Sequence, residues 1–325
     1  MLVMADNYVY AVARIRSLEM SLFSNAVIDQ LIACKTYESC LQFLQEKGWG
    51  DSDTESDAEA MLTREREKIW ETMRELTSDM SVFDVLSYPN LFHNLKAAIK
   101  QVVIGETGAN IFYDDCGIDG ETMVKIISEK DYQALPHNMQ AAAREAYETF
   151  VQTRDGQLCD IIVDKAALDA IYEAGKKADN SILRDYAEST VAVADIKIAV
   201  RCSKTEKSID FMRQAMAECQ SISVERLSHA ALNGMESICS YLDETGYSEG
   251  AEALRDSASA FERWCDNRII NTIKPQKYHS FSVGPLVAYV LARENEIKTV
   301  RIILSGKQNG FSDEAIRERV REMYV

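Results

Sequence analysis

Apolar residues recur along most of this chain at intervals of three and four positions, which places them along one side of an α-helix. Near the N-terminus, for example, Val12, Ile15 and Leu22 follow this spacing. Strict alternation of apolar and polar residues, the pattern of a half-buried β-strand, does not continue beyond five residues, and only 110–113 looks strand-like. With 4 Pro and 14 Gly the chain also has few turn-forming residues. The pattern predicts an all-α protein.

The periodicity also places the individual helices. The predicted segments are 8–23, 27–44, 59–77, 91–103, 119–127, 139–153, 159–175, 179–200, 209–216, 224–245, 248–273, 286–304 and 312–324. Gly306 and Gly310 are expected to end the next-to-last helix, because glycine accepts positive φ at helix ends. Ser312 is the predicted N-cap of the last helix, which we expect to continue as far as Tyr324.

A short phrase repeats within three of these helices. Lys96, Lys197 and Lys298 stand 101 residues apart, and a polar and then an aliphatic residue precede each lysine. These preceding pairs are Asn94 and Leu95, Asp195 and Ile196, and Glu296 and Ile297. Three such phrases at equal spacing predict a triplicated chain, and units of this size favour a body with a pseudo-threefold axis over a thin solenoid.

The repeat suggests approximate domain boundaries. Residues 51–150, 151–250 and 251–325 are predicted to be the three repeats. Residues 1–50 form a helix pair similar in kind to the C-terminal pair. We expect them to complete the last repeat and so to close a ring.

Charge and composition narrow the classes of function. The hydrophobic and charged fractions of 46% and 27% are those of an ordinary globular protein. A net charge of −16 argues against binding to nucleic acid or to anionic lipid. Residues 51–85 hold eleven acidic and four basic side chains, interpreted as an acidic linker over 51–59 and a solvated helix face. The longest apolar run, 283–292, is half of a membrane span of about 20 residues, and we expect a cytoplasmic protein without direct membrane insertion.

Sequence patterns for catalysis are weak. No phosphate-binding loop, HExxH or GxSxG motif occurs, and the eight scattered Cys are expected to be reduced thiols. Residues 115–120 begin like a calcium loop, but Ile126 stands where the final glutamate ligand belongs. Glu225 and His229 form a possible two-ligand metal site of a helical hydrolase, although a helix-surface pair is favoured. We therefore expect no catalytic, cofactor or metal site.

The chain resembles a known family over essentially its whole length, least distinctively over about 105–180. At the C-terminus the similar segments are 285–289, 292–294, 296–298, 301–304, 306–307 and 312–319, and elsewhere 8–16 and 94–96. They resemble the C subunits of bacterial and archaeal V/A-type ATPases, whose eukaryotic counterpart is the d subunit of the V-ATPase. The family's second repeat often has Asn before its Ile-Lys pair, where this chain has Asp195.

The resemblance implies a fold and a function. It implies a funnel of three similar helical domains around a pseudo-threefold axis, acting as a non-catalytic rotor part. Such a part would link the central-shaft subunits, of D and F type, to the membrane proteolipid ring at the cytoplasmic face. It would transmit torque for proton or sodium transport while other subunits hydrolyse ATP. The alternative hypothesis is a soluble helical scaffold or adaptor unrelated to a membrane motor.

The symmetric spacing suggests where partners would bind. We expect partner contacts at the repeated phrases, namely Asn94, Lys96, Asp195, Lys197, Glu296, Lys298 and Arg301. The simpler interpretation of the lysines is that each is a helix-surface charge whose aliphatic stem covers an apolar neighbour.

Overall fold

The computed structural model describes residues 8–51, 57–105, 111–113 and 115–325, and their regular structure is helical, without a β-strand. The predicted all-α class is confirmed. Residues 52–56 of the predicted acidic linker and Asn110 lie outside the described residues. The α-helices are α1 (Val9–Glu19), α2 (Asn25–Ile32), α3 (Tyr37–Glu46), α4 (Ala58–Leu76), α5 (Asp84–Ile104), α6 (Gly120–Glu129), α7 (His137–Thr153), α8 (Gly156–Lys177), α9 (Ser181–Lys204), α10 (Ile209–Ala215), α11 (Val224–Leu232), α12 (Met235–Asp243), α13 (Ser248–Asp256), α14 (Ala258–Ile273), α15 (Gly284–Gln308) and α16 (Asp313–Arg317).

Most of the helices begin at a side chain that accepts hydrogen bonds from the first turn. These N-caps are Thr36, Asp57, Asp119, Asp155, Asn180, Ser208, Ser223, Ser257 and Ser312. Each satisfies a backbone N–H that would otherwise lack a partner, which stabilises a helix by about 1 kcal/mol. The predicted cap at Ser312 is therefore present.

The chain divides into two compact units. Met1–Met80 and Glu249–Val325 form the first, here called the terminal unit, and Ser81–Ser248 form the second, the middle unit. In the terminal unit α15 packs against α1, α2, α3, α4, α14 and α16. In the middle unit α5 packs against α6, α7 and α8, and α9 packs against α8, α10, α11 and α12. One long helix thus organises the terminal unit, and α5, α8 and α9 organise the middle one.

Several predicted helices have different ends in the structure. The segment 224–245 is divided where Gly234 adopts a φ of +99°, and 248–273 is divided where Ser257 caps α14. Apolar spacing continues across both breaks, so periodicity alone did not reveal them. The segment 27–44 is likewise divided into α2 and α3.

The start of α5 was predicted too late. The helix begins at Asp84 rather than at Leu91 and includes Pro89, which lacks a backbone donor. Phe83 and Val85 are both buried at this end of the helix. Their burial offsets the cost of the proline in the early turns.

The end of α15 also differs from the prediction. The helix continues past Gly306 to Gln308, and Gly310 follows with a φ of +67°. A Cβ atom at Gly306 would lie 2.7 Å from the side chain of Ile316. Gly306 therefore allows α16 to approach α15 closely and does not end the helix.

The predicted last helix is short. It ends at Arg317 rather than Tyr324, yet Met323 and Tyr324 are buried in the non-helical tail. The tail is held by hydrogen bonds from Met323 N to Asn25 and from the Tyr324 hydroxyl to Glu19, at 3.4 and 3.1 Å. Contacts with the N-terminal helices thus replace helical hydrogen bonds in this segment. The apolar positions are buried, but they are not on a helix.

The described helices include none with the length and apolar character that crossing a membrane requires. All eight cysteines lie in described residues, and none of them forms a disulfide bond.

Candidate interaction site on the repeated helices

The three repeated phrases lie on α5, α9 and α15, three of the long helices that organise the two units. In each phrase the polar residue before the aliphatic one is completely buried. Asn94, Asp195 and Glu296 each have 0% exposure. A buried polar group is costly unless it is hydrogen-bonded, so each of these side chains must have a partner inside the protein.

The partner is of the same kind in all three cases. Each side-chain oxygen accepts a hydrogen bond from the backbone N–H of a residue outside its helix. The pairs are Tyr113 N with Asn94 at 2.8 Å, Ala217 N with Asp195 at 3.1 Å, and Phe23 N with Glu296 at 2.9 Å. The repeated position therefore anchors a non-helical segment to a long helix. We refer to these three side chains as the loop anchors.

The loop anchor on α5 is a neutral amide. Asn94 also donates from Nδ2 to the carbonyl of Tyr113 at 2.7 Å and to Cys116 Sγ at 3.1 Å. Both ends of the amide are thus used, and no charge is buried.

The loop anchor on α15 belongs to a buried ionic cluster. Arg293, one turn earlier, donates to Glu296 and also to Glu65 on α4, the latter at 2.5 Å. Glu65 accepts from Gly50 N at 2.8 Å and from Lys68 at 2.6 Å. Burial raises the pKa of Glu296 to about 7, although the guanidinium of Arg293 favours its carboxylate. Two carboxylates and two cations therefore join α15 to α4.

The loop anchor on α9 lacks such a cation. Asp195 accepts from Ala217 N through Oδ1, and its Oδ2 is buried without a hydrogen-bond partner in the described part of the chain. Burial raises the pKa of this carboxyl to about 8, and the charges of Glu218 and Asp169 act in the same direction. A carboxyl in this position favours its neutral form.

The lysines of the phrases lie nearer the surface. Lys96 Nζ lies 2.7 Å from Asp164 on α8, and Lys298 Nζ lies 2.7 Å from Asp266 on α14. Their side chains are 21% and 48% exposed, and Lys197 on α9 is half-buried. They are helix-surface charges with room for further contacts.

A second set of ion pairs follows the repeat. Lys100 on α5 lies 2.6 Å from Asp160 on α8, and Arg301 on α15 lies 2.5 Å from Glu59 on α4. Asp160 and Glu59 stand 101 residues apart, the same spacing as the lysines. Each pair joins a long helix to the helix packed against it. The repeat spacing could have revealed these two acids, but sequence reasoning missed them.

The structure separates the predicted partner-binding residues into two groups. The loop anchors are buried and already bonded within the chain, so in this conformation they are not accessible to a partner. Lys298 is exposed, and Lys96, Lys197 and Arg301 are partly so. Partner contact at these four cations stays a prediction.

The possible metal site is an ion pair on a helix surface. Glu225 accepts from the guanidinium of Arg213 with both oxygens at 2.8 Å, and His229 Nε2 lies 3.0 Å from Glu225. The hydrogen bonds from Arg213 lower the pKa of Glu225. The described residues contain no group of three side chains that could hold a metal ion. The arrangement favours the surface-pair interpretation of Glu225 and His229.

Comparison with known proteins gives a consistent result. The model of the family described as ATP synthase (C/AC39) subunit matches residues 11–319. The V-type sodium ATPase C subunit of Enterococcus hirae is 24% identical over 317 residues, covering 95% of this chain and 97% of that protein. The A-type ATP synthase C subunit of Methanocaldococcus jannaschii is 23% identical over 344 residues, covering 95% of this chain and 85% of that protein. The similarity therefore extends over nearly the whole chain.

Proposed function

Because this chain belongs to the ATP synthase (C/AC39) subunit family, we propose that it is a non-catalytic subunit of a rotary V/A-type ATPase. It would link the central shaft to the membrane proteolipid ring and transmit torque for proton or sodium transport. The observation behind the proposal is the family match over residues 11–319, together with relatives that are named as the C subunits of such complexes.

The internal structure suits a part that transmits force. A torque-bearing subunit must resist deformation, and close packing with satisfied polar groups makes a protein interior stiff. Here α5, α9 and α15, of 21, 24 and 25 residues, each hold a non-helical segment through a loop anchor. Ion pairs then join α5 to α8 and α15 to α4. These features support a rigid coupling role.

The proposed partners are the central-shaft subunits, of D and F type, and the proteolipid ring. Three similar helical domains around a pseudo-threefold axis, in a funnel closed by the N-terminal helices, would offer one partner three equivalent surfaces. Lys96, Lys197, Lys298 and Arg301 are the proposed contact residues, since they repeat along the chain and keep exposed surface. The protein would be peripheral on the cytoplasmic face, attached through the complex.

Affinity purification of the tagged chain from its own membranes tests the proposal. We expect the shaft, ring and catalytic subunits to co-purify, and the chain to sediment with membranes. A chain that stays in the soluble fraction without any ATPase subunit would contradict the proposal and support the adaptor alternative.

Charge reversal tests the contact residues separately. We expect Lys96→Glu, Lys197→Glu and Lys298→Glu together to weaken recovery of the shaft or ring subunits at least about tenfold, a change of about 1.4 kcal/mol. The matched control reverses three exposed cations outside the repeated phrases, with Lys125→Glu, Lys176→Glu and Arg226→Glu. Equal recovery with both triple variants, at equal melting temperature, would exclude the lysine surface as the contact.

A further inference from the structure

We infer that Asp195 holds a proton at neutral pH, and that its loss on the alkaline side loosens the loop 216–223 from α9. This inference concerns the middle unit alone and does not depend on the proposed function. The three loop anchors occupy the same place in their helices and accept the same kind of hydrogen bond.

The three anchors differ in whether they carry a charge and whether a cation compensates it. Asn94 has no charge, and Glu296 has Arg293 within hydrogen-bonding distance. Asp195 is as completely buried as both, but its one hydrogen bond among the described residues comes from a neutral backbone amide. An unpaired buried carboxylate costs far more free energy than an unpaired neutral hydroxyl. The carboxyl therefore keeps its proton.

The cation that acts on this carboxyl makes its own contacts elsewhere. Lys165 on α8 donates to the carbonyl of Met216 at 2.7 Å and lies 3.7 Å from Asp169. It favours the ionised form of Asp195 only through space, while Asp169 and Glu218 oppose it. Two acids thus oppose the one cation, and burial is the largest cause that disfavours the ionised form of Asp195.

The buried residues of the other elements packed against α9 include no cation. Cys219 lies on the loop itself, and burial raises the pKa of its thiol. The buried ionisable side chains of α12 are Cys239 and Tyr241, and the Tyr241 hydroxyl accepts from Ser223 N at 2.8 Å. The buried residues of α10 and α11 are apolar apart from a serine.

A second carboxylate holds the same loop from the same helix. Glu188, two turns before Asp195, accepts from Ser221 N at 2.7 Å and from Ser221 Oγ at 2.6 Å. Unlike Asp195 it is only partly buried and has several donors. Of the two acids that hold this loop, Glu188 is therefore suited to be ionised and Asp195 to be neutral.

The pH dependence follows from proton linkage. The pKa of Asp195 is raised from its ordinary range to about 8 in the folded chain. Between about pH 4 and that value the folded form binds one more proton than the unfolded form, so this group makes stability fall as pH rises. Above that pKa the carboxyl is ionised in both the folded and the unfolded chain. The full free-energy cost of burying the charge then lowers the stability of the folded form.

Replacing the acid by its neutral isostere tests the inference. We expect the melting temperature of Asp195→Asn, relative to the original full-length chain, to rise between about pH 5.5 and about pH 8.5 by at least about 4 °C. Glu188→Gln is the control on the same loop, and we expect it to lower the melting temperature at both pH values. A temperature difference for Asp195→Asn that does not change with pH would overturn the inference.

A second measurement covers the case in which Asp195→Asn does not fold. Because the pKa of Glu296 is also raised, to about 7, infrared difference spectra are taken on the Glu296→Gln chain. Between about pH 6.5 and about pH 9 they should show the loss of one protonated carboxyl band. Over the same range, hydrogen exchange of the 216–223 segment should accelerate beyond its intrinsic pH dependence. Absence of the carboxyl band at the lower pH would show that Asp195 is already ionised and would contradict the inference.

Discussion

Glu296 in the terminal unit and Asp195 in the middle unit occupy the same place in the repeat and differ in their surroundings. Both are carboxylic acids with 0% exposure, and both accept a backbone N–H from a non-helical segment. Glu296 has the guanidinium of Arg293 within hydrogen-bonding distance, whereas Asp195 has no ion pair among the described residues and Lys165 acts on it only through space. Glu296 is therefore part of an ion pair, whereas the side chain of Asp195 is more stable as a neutral carboxyl.

The difference shows that the repeated position requires a hydrogen-bond acceptor and does not require a charge. Asn94 meets the same requirement with an amide oxygen. When an acid occupies the position, the rest of the unit must either supply a cation or leave the carboxyl protonated. The terminal unit supplies Arg293, and the same guanidinium then also joins α15 to Glu65 on α4.

Removing the cation from the compensated anchor should have the largest effect. In Arg293→Met two carboxylates, Glu65 and Glu296, lose their shared cation in a buried site. We expect a loss of about 3–5 kcal/mol in the free energy of unfolding, because an uncompensated buried charge is left behind. Urea denaturation of the full chain at neutral pH measures it.

The control for this variant is Arg301→Met, which removes the arginine of the other ion pair between α15 and α4. Its side chain is 43% exposed, compared with 10% for Arg293. Adding Glu65→Gln and Glu296→Gln to Arg293→Met should restore most of the lost stability. If the two arginine variants were equally destabilised, the buried cluster would not be what joins these helices.

Placing an acid at the neutral anchor should have an intermediate effect. Asn94→Asp keeps the acceptor for Tyr113 N but loses the donor to the Tyr113 carbonyl and to Cys116. We expect a loss of about 2 kcal/mol at neutral pH, since buried polar partners are left unsatisfied. The loss should grow between about pH 5 and about pH 8, because burial favours the protonated acid. Thermal unfolding across this pH range is the measurement.

Asn94→Leu separates the cost of the lost hydrogen bonds from the cost of burying a titratable acid. It removes both the acceptor and the donors without adding a titratable group, so its effect should not vary with pH. A flat pH profile for Asn94→Asp as well would mean that this anchor tolerates a charge and that the comparison with Asp195 fails.

The repeat was readable from sequence because its spacing is regular and its lysines are distinctive. Asn94, Asp195 and Glu296 were singled out for the same reason, but with a partner-binding role that their burial does not favour. A polar residue directly before an apolar one on a helix can point inward or outward, and a phrase of three residues does not tell which. The surrounding apolar run over 284–292 on α15 was the available signal that this helix is buried on most sides.

The helix ends were harder to predict for a different physical reason. At Gly234 and Ser257 the apolar spacing continues while the backbone turns. In the C-terminal tail, Met323 and Tyr324 are buried through contacts with α1 and α2 rather than through helical periodicity. Such contacts join residues from opposite ends of the chain, and local sequence patterns do not contain them.

The exposed counterpart of the buried cluster should have the smallest effect. Arg301 and Glu59 join the same two helices as Arg293 and Glu65, but their side chains are 43% and 67% exposed. We expect their coupling energy in a double-mutant cycle with Arg301→Ala and Glu59→Ala to be about 0.5 kcal/mol or less, and to fall with added salt. A coupling of several kcal/mol would mean that this pair, like the buried one, holds α15 to α4. A weak coupling leaves Arg301 free to exchange Glu59 for a carboxylate of a partner, as the proposed contact surface requires.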